Sequence, residues 1–307
     1  MGAAGVAYLR RMRAFGLFVA AIVAAVLLAA ALAYPLYVVI HLLKPEWWFD
    51  KIAARLWAAL MLLALWWVAR RLRLTTKADW GYGAPRPRWL RQFAVGLVAG
   101  IVTMLPVTLS MLALGLRVPP PDLALATLGR ALAAGLGSGL AVGFLEETFF
   151  RGLMQGAVIR ELRRPLLAIL LVSALFAALH FLASTRIPHE QVAWNSGAVL
   201  LEAAGRNFAT PALILDRLLA LFAVGVLLGL CAWWTGSIAF AVGLHAGWVW
   251  IMRATVGATQ LDAAAPLAWL VSREDGYTGW LVLAWTLLIT LAAVALRGRL
   301  RPWRRHA

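Results

Sequence analysis

The sequence predicts an all-α polytopic membrane protein of about eight transmembrane helices, with its N- and C-termini both on the inner side. Three observations carry that prediction. Hydrophobic residues make up 63% of the 307 positions and charged ones only 14%, at a mean hydropathy of +0.83, whereas a soluble domain carries about a quarter charged residues. The apolar residues fall in runs of the ~17–25 residues that a helix needs to cross a bilayer. The basic residues gather between alternate runs, as the positive-inside rule requires. Period-2 strands with turn punctuation are absent, which argues against a membrane β-barrel.

Taken in order, the runs cover residues 15–42, 52–68, 93–116, 123–159, 166–183, 212–234, 237–256 and 279–296. The first follows Arg10, Arg11 and Arg13 and contains Ala31-Leu-Ala33, so it resembles a signal peptide; its length favours a retained anchor. The fourth is longer than a bilayer requires. The stretch 77–91, rich in Trp, Tyr, Pro and Arg, has the composition of an interfacial segment. Residues 184–211 read as the longest outer loop. With the N-terminus inside, the inner connections and tails hold 18 Lys and Arg and the outer connections 7. Three regions follow: N-terminal helices with a basic interfacial segment (1–122), a core with the chemically interesting residues (123–256), and an outer loop, last helix and basic tail (257–307).

The net charge of +16 invites a nucleic-acid reading, but its clustering at helix ends points to topology and lipid headgroups; the partners expected are the bilayer and a membrane-associated protein or peptide, with no nucleic acid. The single cysteine, Cys231, excludes disulfides and cysteine-based metal sites and reads as a small buried hydrophobe.

Against that apolar background Glu146 and Glu147 stand out. Carboxylates in a hydrocarbon-length segment are costly and mark a working site with partners on neighbouring helices. Glu147 and Arg151 are four apart with the acid first, the favourable order for a helical ion pair. Gly135, Gly139 and Gly143 precede them on the same ladder, and small residues at that spacing let a second helix approach closely. Glu146 lies ~100° around the helix from Glu147 and is left to face a cavity. Glu146 and His180 are each 17 residues from Arg163, so a helical hairpin turning there brings both to one level, ~25 Å from the turn. Phe176 and His180 share a face. His245 follows the tight Thr235-Gly236-Ser237 turn at a compatible depth. His41, at the end of the first run, reads as interfacial. His189-Glu190 fails the zinc-protease pattern, because Ala193 stands where the second histidine belongs.

These motifs resemble those of the CPBP family, the CAAX-protease and bacteriocin-processing (Abi) group of intramembrane proteases. Glu146-Glu147-Thr-Phe-Phe-Arg151 matches its E-E-x-x-x-R motif, and Phe176-Ala-Ala-Leu-His180 its F-x-x-x-H motif. His245-Ala-Gly-Trp-Val249 matches only the histidine of the third, H-x-x-x-N/D. The resemblance spans roughly residues 125–255. It implies a glutamate-dependent endopeptidase in a bacterial cytoplasmic membrane. Glu146 would be the base on water, His180 its helper and His245 the oxyanion donor; Glu147 and Arg151 would brace the motif and Phe176 shape the pocket. Val249 can supply no hydrogen bond, leaving Trp248 and Arg253 as substitute donors. No cofactor is expected on this reading. Residue types alone leave three alternatives: zinc held by Glu146, His180 and His245, a non-catalytic binding or immunity protein using the same cavity, and, last, a transporter.

Overall fold

In the computed structural model the described residues are 12–182 and 186–297, and the chain there is mostly helical. Arg10 and Arg11, residues 183–185 at the junction of the fifth run with the loop, and the basic tail beyond Arg297 lie outside them. The helices are α1 (Arg13–Leu43), α2 (Phe49–Arg71), α3 (Arg86–Ala113), α4 (Leu125–Glu147), α5 (Gly156–Leu162), α6 (Pro165–Leu179), α7 (Ser196–Ala209), α8 (Leu215–Thr235), α9 (Ala239–Ala258) and α10 (Trp280–Ala295). A π-helical segment, Thr148–Gln155, joins α4 to α5, so one continuous helical span runs from Leu125 to Leu162.

Among the described residues, six helices are long and apolar enough to cross a membrane. The fifth and eighth runs form shorter apolar helices, α6 with 15 residues and α10 with 16. Residues 184–211 are not all loop: 196–209 form α7. Its polar residues hide it from a hydropathy reading. Glu202 and Arg206 pair on the exposed face at 2.7 Å, while Ser196, Gly197, Ala203 and Ala204 are buried.

The chain folds as two compact units, residues 1–75 with 178–214 and residues 76–177 with 215–307. In the first, α1 buries Phe18, Ile22, Ala25, Ala29, Ala33 and Tyr37, a stripe at helical spacing, and packs on α2 and α7. Phe49, Ile52, Ala53 and Ile187 complete the core around Ala33 and Tyr37. Gly197 of α7 rests on the Ala30 carbonyl, where any Cβ would collide.

In the second unit α9 lies between α3 and α4 and also contacts α8, while α10 covers α8. A short antiparallel pair, β1 (Arg117–Val118) with β2 (Gln260–Leu261), closes one end. There the Arg117 guanidinium donates to the Gly276 carbonyl at 2.7 Å, and the Tyr277 and Thr108 hydroxyls are hydrogen-bonded at 2.8 Å. Burial lowers the Arg117 pKa and pushes the Tyr277 hydroxyl up to about 12, because desolvation disfavours the charged form of each.

Candidate active site

The glycine ladder positions the site. A Cβ on Gly135 or Gly143 would sit 2.9 Å from the carbonyl oxygen of Trp250 or Val242, and one on Gly139 would collide with that of Ala246. Each residue therefore lies on the backbone of α9, the helix of His245, and the matching order (135 with 250, 143 with 242) makes α4 and α9 antiparallel. On its other side α9 presents Gly243 and Gly247 to Phe93, Leu97 and Ile101 of α3, whose Gly96 and Gly100 meet Phe240 and Leu244 in return. Without side chains between them the backbones approach closely, the association that small residues four apart produce in membranes.

Glu147, at the end of α4, is fully buried, and its Oε1 accepts two hydrogen bonds. Arg151 Nη1 donates at 2.8 Å, and His245 Nδ1 lies at 2.9 Å. Arg151 is itself buried. Its second nitrogen donates to the Gly225 carbonyl of α8 at 3.2 Å, and its guanidinium lies over the Phe176 ring at 4.5 Å. Four residues on, Gln155 donates to the carbonyl of Gly229 at 3.0 Å, so two donors four apart meet two glycine carbonyls four apart. Buried charge needs such saturation, since an unpaired guanidinium in this environment is prohibitive. The π-helical turn runs through these contacts, and every residue from Phe149 to Gln155 is buried; such turns recur at functional sites.

Glu146 is placed differently. Its side chain is 29% exposed, and its Oε2 is buried, makes no hydrogen bond and lies 4.0 Å from His245 Nε2. The two imidazole nitrogens thus face the two carboxylates, Nδ1 toward Glu147 and Nε2 toward Glu146. Phe176 stands edge-on to the His245 ring, with centroids 6.3 Å apart.

Glu146, Glu147, Arg151, Phe176 and His245 come together in the second unit. His180 is half-buried and is the first residue after α6; it belongs to the first unit. Val249 is buried. Trp248 Nε1 donates to Thr103 Oγ1 at 2.8 Å, and Arg253 is exposed, so the indole hydrogen is already committed to α3. Among the described residues no group of three or more His, Cys, Asp or Glu side chains is placed to hold a metal ion. The donor set read from residue types for zinc is not assembled among them.

Sequence reasoning missed several contributors. Tyr82 shares a 2.6 Å hydrogen bond with Thr148, the residue after Glu147. Trp80, through its carbonyl, leaves no room for a Cβ on Gly152. Both lie in the stretch read as interfacial, where no spacing marks them. Gly225-x-x-x-Gly229 was legible as a small-residue ladder, but nothing in it announces that its carbonyls accept from Arg151 and Gln155.

Residues 128–251 match the family model for type II CAAX prenyl endopeptidase Rce1-like proteins. No curated protein and no solved structure matches the chain. The matched segment contains the first two motifs and His245 of the third, in a chain with six membrane-length apolar helices among its described residues. Residues 128–251 are thus similar to the Rce1-like type II CAAX prenyl endopeptidases, a match consistent with the CPBP family of membrane proteases.

Proposed function

We propose that this protein is an intramembrane endopeptidase of glutamate type, acting on a membrane-associated protein or peptide in a bacterial cytoplasmic membrane, with both termini inside. One observation carries the reading: the free Oε2 of Glu146 faces His245 Nε2 across 4.0 Å. That gap is too long for a direct hydrogen bond and lets one water hydrogen-bond to both. Glu147, paired with Arg151, is an acceptor only. His245 therefore keeps a proton on Nδ1 and, when neutral, presents a bare Nε2 to the site.

The chemistry follows. Glu146 takes a proton from water as the water oxygen bonds to the scissile carbonyl carbon, giving a tetrahedral oxyanion. The same proton passes to the leaving nitrogen as the C–N bond breaks, releasing an amine and a carboxylic acid. A hydrogen bond from His245 to the oxyanion requires a proton on Nε2 as well as on Nδ1. His180 enters this reading through the F-x-x-x-H motif alone, as the expected helper of the water; Glu147 and Arg151 hold His245 in place, and Phe176 shapes the wall. The test compares the membrane proteomes of cells carrying the wild type or Glu146→Gln, scoring new N-termini. A peptide cleaved by the wild type and spared by the variant is the expected result; equal cleavage by both removes Glu146 from the chemistry.

A second reading, a non-catalytic binding or immunity protein, is favoured by the third motif. Val249 offers no donor and the Trp248 N–H is engaged by Thr103. Its test is complementation: function that survives both Glu146→Gln and His180→Ala is binding, not proteolysis.

A further inference from the structure

The first unit holds a cleft that the proposed proteolysis does not use. It has a volume of about 160 Å³ and lies among α1, α2 and α7. Ala29, Ala30, Ala53, Gly197, Leu200 and Ala204 are half of its lining residues, and the wall is mostly apolar. Two polar groups break it. Asp50 is 4% exposed; its Oδ2 lies 4.0 Å from the ammonium of Lys51, but its Oδ1 is buried without a hydrogen bond. Trp57 has a buried indole N–H that is also without an acceptor. The two side chains are seven residues apart on α2, so both line one face, about 10 Å from each other along the axis.

A buried carboxylate oxygen with no donor is costly, and in a membrane protein such a residue marks a binding or transport function by default. The cleft sets the ligand's requirements: a donor for Asp50 at the end of α2, an acceptor for Trp57 two turns further in, and hydrocarbon between the helices. A cavity near 150 Å³ takes about one benzene-sized apolar group, so the body is a stretch of chain and not a folded peptide. Asp50 and the exposed Lys51 lie side by side in the first turn of α2, a helix long and apolar enough to cross a membrane, and the ends of such a helix meet the headgroups. An anion and a cation in adjacent positions complement a headgroup whose ammonium and phosphate are adjacent.

We infer that this cleft binds an aminophospholipid: the primary ammonium on Asp50 Oδ1, the phosphate beside Lys51, an ester carbonyl on Trp57 Nε1 and an acyl segment against the alanines. A trimethylammonium lipid has no N–H for Asp50, and a glycerol headgroup has no positive charge.

The test is native mass spectrometry of the full chain from nanodiscs of equimolar phosphatidylethanolamine, phosphatidylcholine and phosphatidylglycerol. The expected result is about tenfold preferential retention of phosphatidylethanolamine, the scale of a charge-assisted hydrogen bond, reduced to parity in Asp50→Asn and weakened in Trp57→Phe. Equal retention of the three lipids by the wild type, or an unchanged preference in Asp50→Asn, overturns the inference. So does displacement by free ethanolamine, which would make the ligand a soluble amine, or a peptide cross-linked in the cleft. Should Asp50→Asn fail to fold, phosphatidylethanolamine methylated once, twice and three times decides on the wild type alone. Stepwise loss of retention supports the assignment, and a flat series defeats it.

Discussion

The two compact units use the same material, apolar helices, but rely on glycine-to-backbone contacts to different extents. In the second, α9 is gripped on both sides by glycines that sit on backbone carbonyls, with no side-chain volume to adjust. In the first, a single such contact, Gly197 on the Ala30 carbonyl, joins α7 to α1, alanines and aromatic rings do the rest of the packing, and a cleft remains. The difference shows where positional accuracy is needed. His245 must hold one carboxylate at 2.9 Å and another at 4.0 Å, and a helix whose neighbours touch its backbone cannot slide without a collision. The cleft of the first unit needs space instead, because an occupant must enter it.

The contrast breaks most visibly at Glu146. General-base groups contribute about 10²–10⁴-fold, so Glu146→Gln should lower the rate of substrate cleavage by about 10³-fold. Its thermal unfolding midpoint in detergent should hardly move, since Oε2 makes no hydrogen bond in the fold. A large stability loss in this variant would put Glu146 in the packing and not the chemistry.

Arg151 tests the opposite property. Truncating one partner of a buried pair costs about 3–5 kcal/mol, and Arg151→Ala also takes a donor from Gly225 and a cation from the Phe176 ring. Unfolding in detergent should report a loss of that size. Arg151→Lys should recover only part of it, because one ammonium cannot match a planar fork that reaches Glu147 and Gly225 together. Full rescue by lysine would show that charge alone, without the geometry, braces the site.

Much of this site was legible in the sequence, for physical reasons that differ residue by residue. Glu147 and Arg151 could be paired because helical spacing puts i and i+4 on one face, and the glycine ladder predicted a close helix because only small residues permit one. The identity of that helix was not legible, since glycines do not encode a partner. Nor was the double duty of Glu147. Spacing relates residues within one helix, and the His245–Glu147 bond links positions 98 apart in sequence. Hydropathy found the six long helices, and its fifth and eighth runs fold as the shorter apolar helices α6 and α10, because it does not register where a helix stops. It passed over α7, whose polar face dilutes every window.

The glycine contacts make the next prediction. A methyl on Gly139 meets the carbonyl of Ala246, and a rigid backbone atom cannot rotate away. Overpacking of this kind costs about 1–3 kcal/mol, so Gly139→Ala should lower the unfolding midpoint although alanine is the better helix former. Cleavage should fall as well, because relief of the clash moves α9 and with it His245. If Gly139→Ala is neutral in both measurements, the ladder is not what fixes the histidine.

The mirror-image substitution in the first unit should have the smallest effect and the opposite sign. Ala53 is buried on α2 and lines the cleft, so Ala53→Leu places added carbons in space already enclosed by apolar walls. Leucine is nearly as good a helix former as alanine, and cavity filling typically yields about 0.5–2 kcal/mol. In lipid-free detergent the variant should therefore unfold at a slightly higher temperature than the wild type. Adding phosphatidylethanolamine should then stabilise the wild type and leave Ala53→Leu unchanged, because ligand linkage acts only where the site is open. A destabilised Ala53→Leu would mean that the first unit is packed as tightly as the second, and the contrast between them would fall.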